Sequence, residues 1–267
     1  MTFRSLLLVA LSGLALWTPS VSAQDASNEL ALELQNPVAA LISVPFQFNY
    51  EQNIGAGQNG SRKVLNIQPV VPFELNGNWN LISRTIIPYI EQDGVTGPGQ
   101  KQSGMGDIVQ SFFFSPIAPT DDGWIWGVGP VIYLPTGSSQ FSQDQFGLGP
   151  TAVALRQQGG WTYGALANHI WGIDPGPGKT ALNASFMQPF VSYTTDKAWS
   201  FVAQAEATYD WNSEQWSIPV GVVVSKVANF ADQPVSFSLG VRKFIESPAF
   251  GPGGTAFRFN VTFLFPK

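Results

Sequence analysis

The chain of 267 residues lacks cysteine altogether and contains one histidine, His169. Without cysteine it has neither the disulfides that stabilise many small exported domains nor a cysteine nucleophile. A structural zinc site normally takes several cysteine and histidine ligands. We therefore expect no metal site. No cofactor-binding motif is complete in the sequence, so we also expect no cofactor.

Charged residues are scarce as well. They make up 12% of the chain, about half the usual share for a soluble domain. The 13 basic residues form no stripe along the sequence, and the net charge of −5 becomes −6 once Arg4 is removed. Nucleic-acid binding depends on clustered lysine and arginine, so nucleic acid is not an expected partner.

The sequence has no hydrophobic run long enough for a transmembrane helix, which needs about 20 residues. The apolar run at residues 6–16 follows Arg4 and precedes Val21-Ser22-Ala23. A positive charge, a short apolar run and small residues before the cleavage point are typical of a signal peptide. We predict a signal peptide over residues 1–23, cleavage before Gln24, and export.

What the chain does contain is apolar and aromatic: 44% hydrophobic residues, 20 Phe and 9 Trp. Strands with one face on lipid reconcile this composition with the lack of a spanning helix. Apolar and polar residues alternate with period two over residues 41–51, 65–76, 199–212, 235–242 and 257–265. Most of these runs have about 10 residues or more, the length of a tilted transmembrane strand, whereas strands of soluble sandwiches have about 5–6.

The alternation and the turn residues between runs predict twelve strands. They cover residues 38–54, 61–75, 79–94, 104–115, 124–136, 146–157, 161–173, 180–194, 198–211, 216–230, 234–247 and 254–265. The predicted fold class is all-β: a transmembrane, antiparallel, up-and-down β-barrel of about twelve strands, with ten or fourteen as alternatives. We expect residues 24–37 to form an N-terminal periplasmic arm with weak helical periodicity, and residues 38–267 to form a barrel in the bacterial outer membrane.

The polar faces of these strands should point into the lumen. We predict that ten side chains line it: Gln47, Asn66, Gln68, Glu74, Arg84, Gln204, Glu206, Asp210, Arg242 and Arg258. Arg156 is assigned to the same face from a less regular run. The charged members could fill a narrow barrel as arginine–carboxylate pairs, or line a pore and set its selectivity. The sequence favours neither role.

Several blocks of sequence resemble a family of proteobacterial outer-membrane proteins described as transporters or as phenol meta-pathway degradation (MetA-like) proteins. The matching blocks are Asn36-Pro37-Val38, Leu41-Ile42-Ser43-Val44-Pro45, Leu65-Asn66-Ile67-Gln68-Pro69-Val70, Trp79-Asn80-Leu81-Ile82, Arg84-Thr85-Ile86, Gly106-Asp107-Ile108, Phe114-Ser115-Pro116, Gly127-Val128-Gly129-Pro130, Pro135-Thr136-Gly137, Gly149-Pro150 and Gln188-Pro189-Phe190. The resemblance implies an outer-membrane barrel and passage of small compounds, aromatic ones included. It brings no catalytic or binding residues.

Three functions are compatible with this fold. The favoured one is passage of small solutes, aromatic or hydrophobic ones included, by diffusion through a narrow polar lumen, with loops at residues 95–103 and 137–145 controlling access. The second is a closed structural or interaction barrel. The expected partners are outer-membrane lipids, the barrel assembly machinery and small solutes.

The third function, an outer-membrane hydrolase, is the weakest. The outer-membrane phospholipase family places a serine two residues beyond its histidine, and this chain has Trp171 at that position relative to His169. We therefore expect no catalytic residues and no enzyme activity.

Overall fold

The computed structural model describes residues 21–176, 178–230 and 233–266, with side chains from residue 24 onward. The predicted signal peptide therefore lies outside the described residues, except for its last three, which begin helix α1 (Val21–Glu33). No helix in the described part of the chain is long and apolar enough to cross a membrane.

Fifteen β-segments follow the helix. They are β1 (Ile42–Ile54), β2 (Gly60–Ile67), β3 (Val70–Asn76), β4 (Trp79–Asp93), β5 (Lys101–Met105), β6 (Ile108–Pro116), β7 (Trp124–Leu134), β8 (Phe146–Gln158), β9 (Trp161–Ile173), β10 (Asn183–Thr194), β11 (Trp199–Ala205), β12 (Ala207–Asp210), β13 (Gln215–Phe230), β14 (Gln233–Glu246) and β15 (Thr255–Phe265). All pairings are antiparallel, and β15 pairs with β1 from Ile42↔Phe265 to Tyr50↔Phe257, so the sheet closes on itself.

Three pairs of segments are single strands with a short interruption. β2 with β3 and β11 with β12 each run in one direction between the same two neighbouring strands, and β5 continues into β6 along β4. The breaks fall at residues 68–69, at residues 106–107 and at Glu206. Pro69 has no N–H to give to the sheet. Counted this way, the barrel has twelve strands in up-and-down order, and the prediction is confirmed.

Three strand boundaries differ from the prediction by three or four residues, and one of them is the start of β5 at Lys101 rather than residue 104. The first strand begins at Ile42 rather than residue 38, because Ala39 N bonds Asn36 O at 3.1 Å and the chain turns there. β10 begins at Asn183 rather than residue 180. The Gln145 side chain bonds Thr180 O at 3.1 Å and Leu182 N at 2.8 Å, so that stretch is held by a loop side chain instead of a strand.

The outward face is apolar, as the alternation predicted. Phe73 and Phe201 are about half exposed and Phe237 somewhat less so, while Ser200 beside Phe201 is buried inside. Phe46 is half-buried because its ring packs edge-on against Phe263, with centroids 6.0 Å apart. In a membrane barrel this outward face contacts lipid tails.

Exposed tryptophans mark both ends of the barrel wall. At the end where β1 begins and β15 ends, a tryptophan is the first residue of each of four strands: Trp79, Trp124, Trp161 and Trp199. At the opposite end lie Trp171, Trp211 and Trp216. Two such girdles are typical of the two membrane–water interfaces. The turns at the end where β1 begins, such as the hairpin at Gly159-Gly160, are mostly shorter than the connections at the opposite end, as is typical of periplasmic turns, and we call this end the periplasmic end.

The N-terminal segment closes off much of the periplasmic end from inside. In α1, Leu30 and Ala31 are buried in a cluster with Ala198, Val227 and Leu264 from the surrounding strand ends. The amide of Gln157 on β8 donates to Leu32 O at 2.9 Å. A second cluster packs Val38 against the inner wall, with Ile82, Phe113, Val153, Leu155 and Leu166. We call residues 24–41 the plug.

Candidate lumenal site

A polar cavity of about 410 Å³ lies inside the barrel. Eight of the ten side chains predicted to face the lumen line it: Gln47, Asn66, Gln68, Arg84, Gln204, Glu206, Arg242 and Arg258. They come from β1, β2, β4, β11, β14 and β15 and from the β2–β3 and β11–β12 breaks, because the inward positions of these strands meet at one level of the barrel.

The other two predicted residues do not line this cavity. Glu74 lies near the periplasmic end of β3 and is exposed. Asp210 ends β12 at the opposite rim, where its Oδ1 accepts hydrogen bonds from Asn212 N and Ser213 N. Both occupy strand positions that face the lumen, but they lie beyond the ends of the cavity. Arg156 was placed wrongly: its neighbour Leu155 is fully buried inside, so Arg156 has the outward parity.

Sequence reasoning missed several lining residues. Asn49, Glu51, Arg62, Gln188 and Asn260 line the same cavity. The signal was present for most of them, since Asn49 and Glu51 share the parity of Gln47, and Arg62 shares that of Asn66. Extending the alternation to the strand ends would have included them.

A chain of ion pairs runs along one side of this cavity. Arg62 contacts Glu51 at 2.7 Å, and Glu51 also accepts from Arg242 Nη2 at 3.1 Å. Glu206 accepts from Arg242 Nη1 at 2.9 Å and from both terminal nitrogens of Arg258, at 2.7 and 2.9 Å. Except for Arg62, the side chains are largely buried. Such charge-assisted pairs are strong and fix geometry. We call these five residues the ion-pair chain.

Amide side chains extend the polar surface away from the ion-pair chain. Gln204 Nε2 donates to Glu206 at 3.1 Å, and Gln188 Nε2 donates to Gln204 at 3.1 Å. On the facing strands, Arg84 donates to the Gln68 carbonyl oxygen at 3.0 Å. The lumenal wall is therefore polar on both sides of the cavity.

A second cavity of about 220 Å³ lies between the plug and the barrel wall. Five residues line both cavities: Gln35, Gln68, Arg84, Gln188 and Gln204. Glu33, at the end of α1, also lines the second cavity. Burial, and secondarily the nearby Glu29, raises the pKa of the Glu33 carboxyl above its ordinary value.

Residues 39–174, just over half of the chain, match a sequence family described as "Putative MetA-pathway of phenol degradation". This chain belongs to that family. Among curated proteins none matches it.

Solved outer-membrane barrels share the fold of this family member. An outer membrane channel from Pseudomonas putida superposes with a TM-score of 0.67 at 13% identity, over 85% of this chain and 96% of the channel. The beta domain of the Bordetella autotransporter BrkA gives 0.50 at 12% identity, over 84% and 99%. A phospholipase from the outer membrane of Salmonella typhi gives 0.46 at 12% identity, over 91% and 98%, too low to carry an argument. The likenesses to the channel and to the autotransporter domain show the fold, a closed barrel of the bacterial outer membrane.

The loop between β7 and β8 is held by hydrogen bonds to residues of the β5–β6 strand. Asp107, at the β5–β6 break, accepts from Gly137 N at 2.8 Å and from Gln143 N at 2.7 Å. Ser138 N bonds Met105 O at 2.8 Å. The loop at residues 137–145, one of the two predicted to control access, is thus fixed at both ends by the β5–β6 strand.

A serine–histidine contact that the sequence analysis missed lies on the outer face. His169 Nδ1 is 2.7 Å from Ser185 Oγ, which also accepts from Trp211 Nε1 at 2.9 Å. The two residues are direct neighbours across the β9–β10 pair. The search two residues beyond His169 could not find a cross-strand partner, although both residues share the outward parity. In the described part of the chain, His169 Nε2 has no hydrogen-bond partner.

No group of three histidine, aspartate or glutamate side chains among the described residues could hold a metal ion.

Proposed function

We propose that this barrel lets small solutes cross the outer membrane by diffusion through its lumen. The observation that carries the proposal is the pair of adjoining cavities inside a closed barrel, which share five polar lining residues. A polar inner wall with an apolar outer wall is the arrangement of membrane pores.

The size of the cavities limits the solute. A cavity of about 150 Å³ is enough to hold benzene. The lumenal cavities of about 410 and 220 Å³ therefore suit molecules with one ring or a short chain. Apolar side chains of β9 and β10, Leu166 and Phe190, line the smaller cavity beside the amides, so a partly hydrophobic solute finds favourable contacts there.

The plug is the main obstacle on this path. Among the described residues, its polar anchors on the wall include Gln157 to Leu32 O, and Asn229 Nδ2 to Ser27 Oγ at 3.5 Å. The apolar contacts are the cluster at the barrel mouth and the packing of Val38 against the inner wall. We propose that solutes leave the barrel when the plug shifts from this position, and that the ion-pair chain keeps the wall itself rigid.

Conductance in planar lipid bilayers tests the proposal. Because the chain has no native cysteine, two introduced cysteines can cross-link the plug to the wall without competing thiols. Ser27→Cys with Asn229→Cys brings two thiols together between plug and wall, since the two side chains meet at 3.5 Å, and mass spectrometry of the oxidised protein verifies the disulfide before currents are compared. We expect the oxidised double variant to conduct less than wild type and to recover on reduction. Each single cysteine variant is the matched control. Wild-type protein that is folded and inserted but does not conduct would refute the channel, and equal currents before and after reduction would remove the plug from the path.

The His169–Ser185 contact favours a second candidate, hydrolysis of lipid esters at the outer face. A histidine beside a serine can act as its general base. Ser185 and His169 line an apolar surface cavity of about 450 Å³. A fluorophosphonate probe should then label the micellar protein but not Ser185→Ala, with Ser200→Ala as the control on the inner face. Absence of labelling in the wild type would reject this function.

A further inference from the structure

The arginines of this chain are concentrated in one place. Beyond Arg4 the sequence has five, and four of them line the larger lumenal cavity: Arg62, Arg84, Arg242 and Arg258. No lysine among the described residues lines it. An acidic chain has thus gathered nearly all of its guanidinium groups at its centre, where planar donors suit carboxylates better than the point charge of lysine does.

The charges around the cavity do not balance. Its lining contains four arginines against two carboxylates, Glu51 and Glu206, which leaves a formal charge of +2. Both carboxylates belong to the ion-pair chain and already pair with Arg62, Arg242 or Arg258. Arg84 bonds Gln68 and makes no ion pair with any carboxylate in the part of the chain that the structure describes.

A second observation also indicates an absent acceptor. Arg242 is 5% exposed, yet its Nε finds no acceptor among the described residues. Buried donors of charged groups are nearly always satisfied in folded proteins. The lumen therefore has both surplus positive charge and spare donors.

The surroundings of Arg84 define the ligand. It lies where the two cavities share their lining, with the amides of Gln35, Gln68 and Gln188 as further polar groups. Apolar side chains of β10 flank them: Phe186 lines the larger cavity and Phe190 the smaller. A guanidinium can accept a carboxylate through two parallel hydrogen bonds. The amides offer further donors, and the phenyl rings cover an apolar body.

We propose that the lumen selects small organic carboxylates with an apolar body, the carboxylate binding at Arg84 and the body packing against Phe186 and Phe190. The proposal rests on the channel function for its role in passage, but the binding site itself does not need conduction. Chloride should also pass more readily than potassium, because the uncompensated charge attracts anions into the lumenal cavity.

The experiment compares benzoate with benzamide, a neutral molecule of nearly the same shape. In bilayers under a potassium chloride gradient, the wild-type reversal potential should indicate anion preference, and benzoate should reduce the current at concentrations where benzamide does not. Arg84→Gln should lower the chloride-to-potassium permeability ratio several-fold and abolish the benzoate effect. Arg84→Lys keeps the positive charge but lacks the two parallel N–H donors of the guanidinium, so it should retain anion preference and lose most of the benzoate effect.

The matched control is Arg156→Gln, which removes the same charge from the outward face and should change neither property. Calorimetric titration of the micellar protein with benzoate gives a readout independent of current. Binding that Arg84→Gln removes, in a protein that does not conduct, would support the carboxylate site while the channel proposal fails. A conducting barrel that prefers cations, or that responds equally to benzoate and benzamide, would overturn the carboxylate site alone.

Discussion

The substitution Glu206→Gln tests the ion-pair chain most directly. Glu206 accepts three hydrogen bonds from Arg242 and Arg258, and both arginines are more than nine-tenths buried. Glutamine keeps one acceptor oxygen but no charge, so the only carboxylate left among the described partners of these two arginines is Glu51 on Arg242, while Arg258 keeps the neutral Asn49.

The expected cost follows from this burial. Removing one member of a buried ion pair typically costs roughly 3–5 kcal/mol, because the remaining charge stays poorly solvated. Glu206 is somewhat accessible from a cavity large enough for water. We therefore expect the lower end, about 3 kcal/mol of the free energy of unfolding. Removing both partners in Glu206→Gln with Arg258→Gln should cost less than the two single changes added together.

Urea unfolding of the barrel in phospholipid vesicles, followed by tryptophan fluorescence, measures this cost. The matched control is Glu74→Gln, which removes the same charge from an exposed position near a strand end and should stay within about 0.5 kcal/mol. If Glu206→Gln costs no more than Glu74→Gln, or if the double-mutant cycle shows no coupling, the ion-pair chain does not stabilise the barrel and our reasoning is wrong.

Three further predictions concern the wall and the plug. Phe201→Arg should reduce stability by about 2–4 kcal/mol if it lies near the bilayer midplane, whereas Gln204→Arg should cost much less because Gln204 faces the polar lumenal cavity rather than lipid; equal costs in vesicle unfolding would contradict the face assignment. Phe263→Ala with Phe265→Ala should weaken the closing strand pair and reduce the heat-modifiable band on semi-native gels, while deleting the last two residues should not. The pKa of Glu33 is raised in the docked plug, so the docked plug holds the Glu33 proton more tightly than the undocked one does. Docking should therefore strengthen as pH falls towards the ordinary glutamate pKa and weaken above it. Conductance of the wild type should then rise with pH, and a Glu33→Gln variant with the same pH response would refute this.

The sequence alone determined the wall of this protein. Side chains of a strand alternate between two faces, so the order of apolar and polar residues assigns each face without any knowledge of the partner strand. This is why the twelve strands, the lipid-facing Phe201 and the inward Arg242 and Arg258 could all be predicted. The scarcity of charge and the strand lengths placed the wall in a membrane for the same local reasons.

Only the tertiary structure decided what meets inside. Glu51 and Arg242 are 191 residues apart, and they pair because the sheet closes and brings β14 and β15 beside β1. The position of the plug and the contact of His169 with Ser185 depend equally on the closed barrel, and no local pattern indicates them. Alternation specifies the direction of a side chain, but the height and partner of that side chain in the lumen follow from strand register and barrel closure, which are properties of the whole sheet.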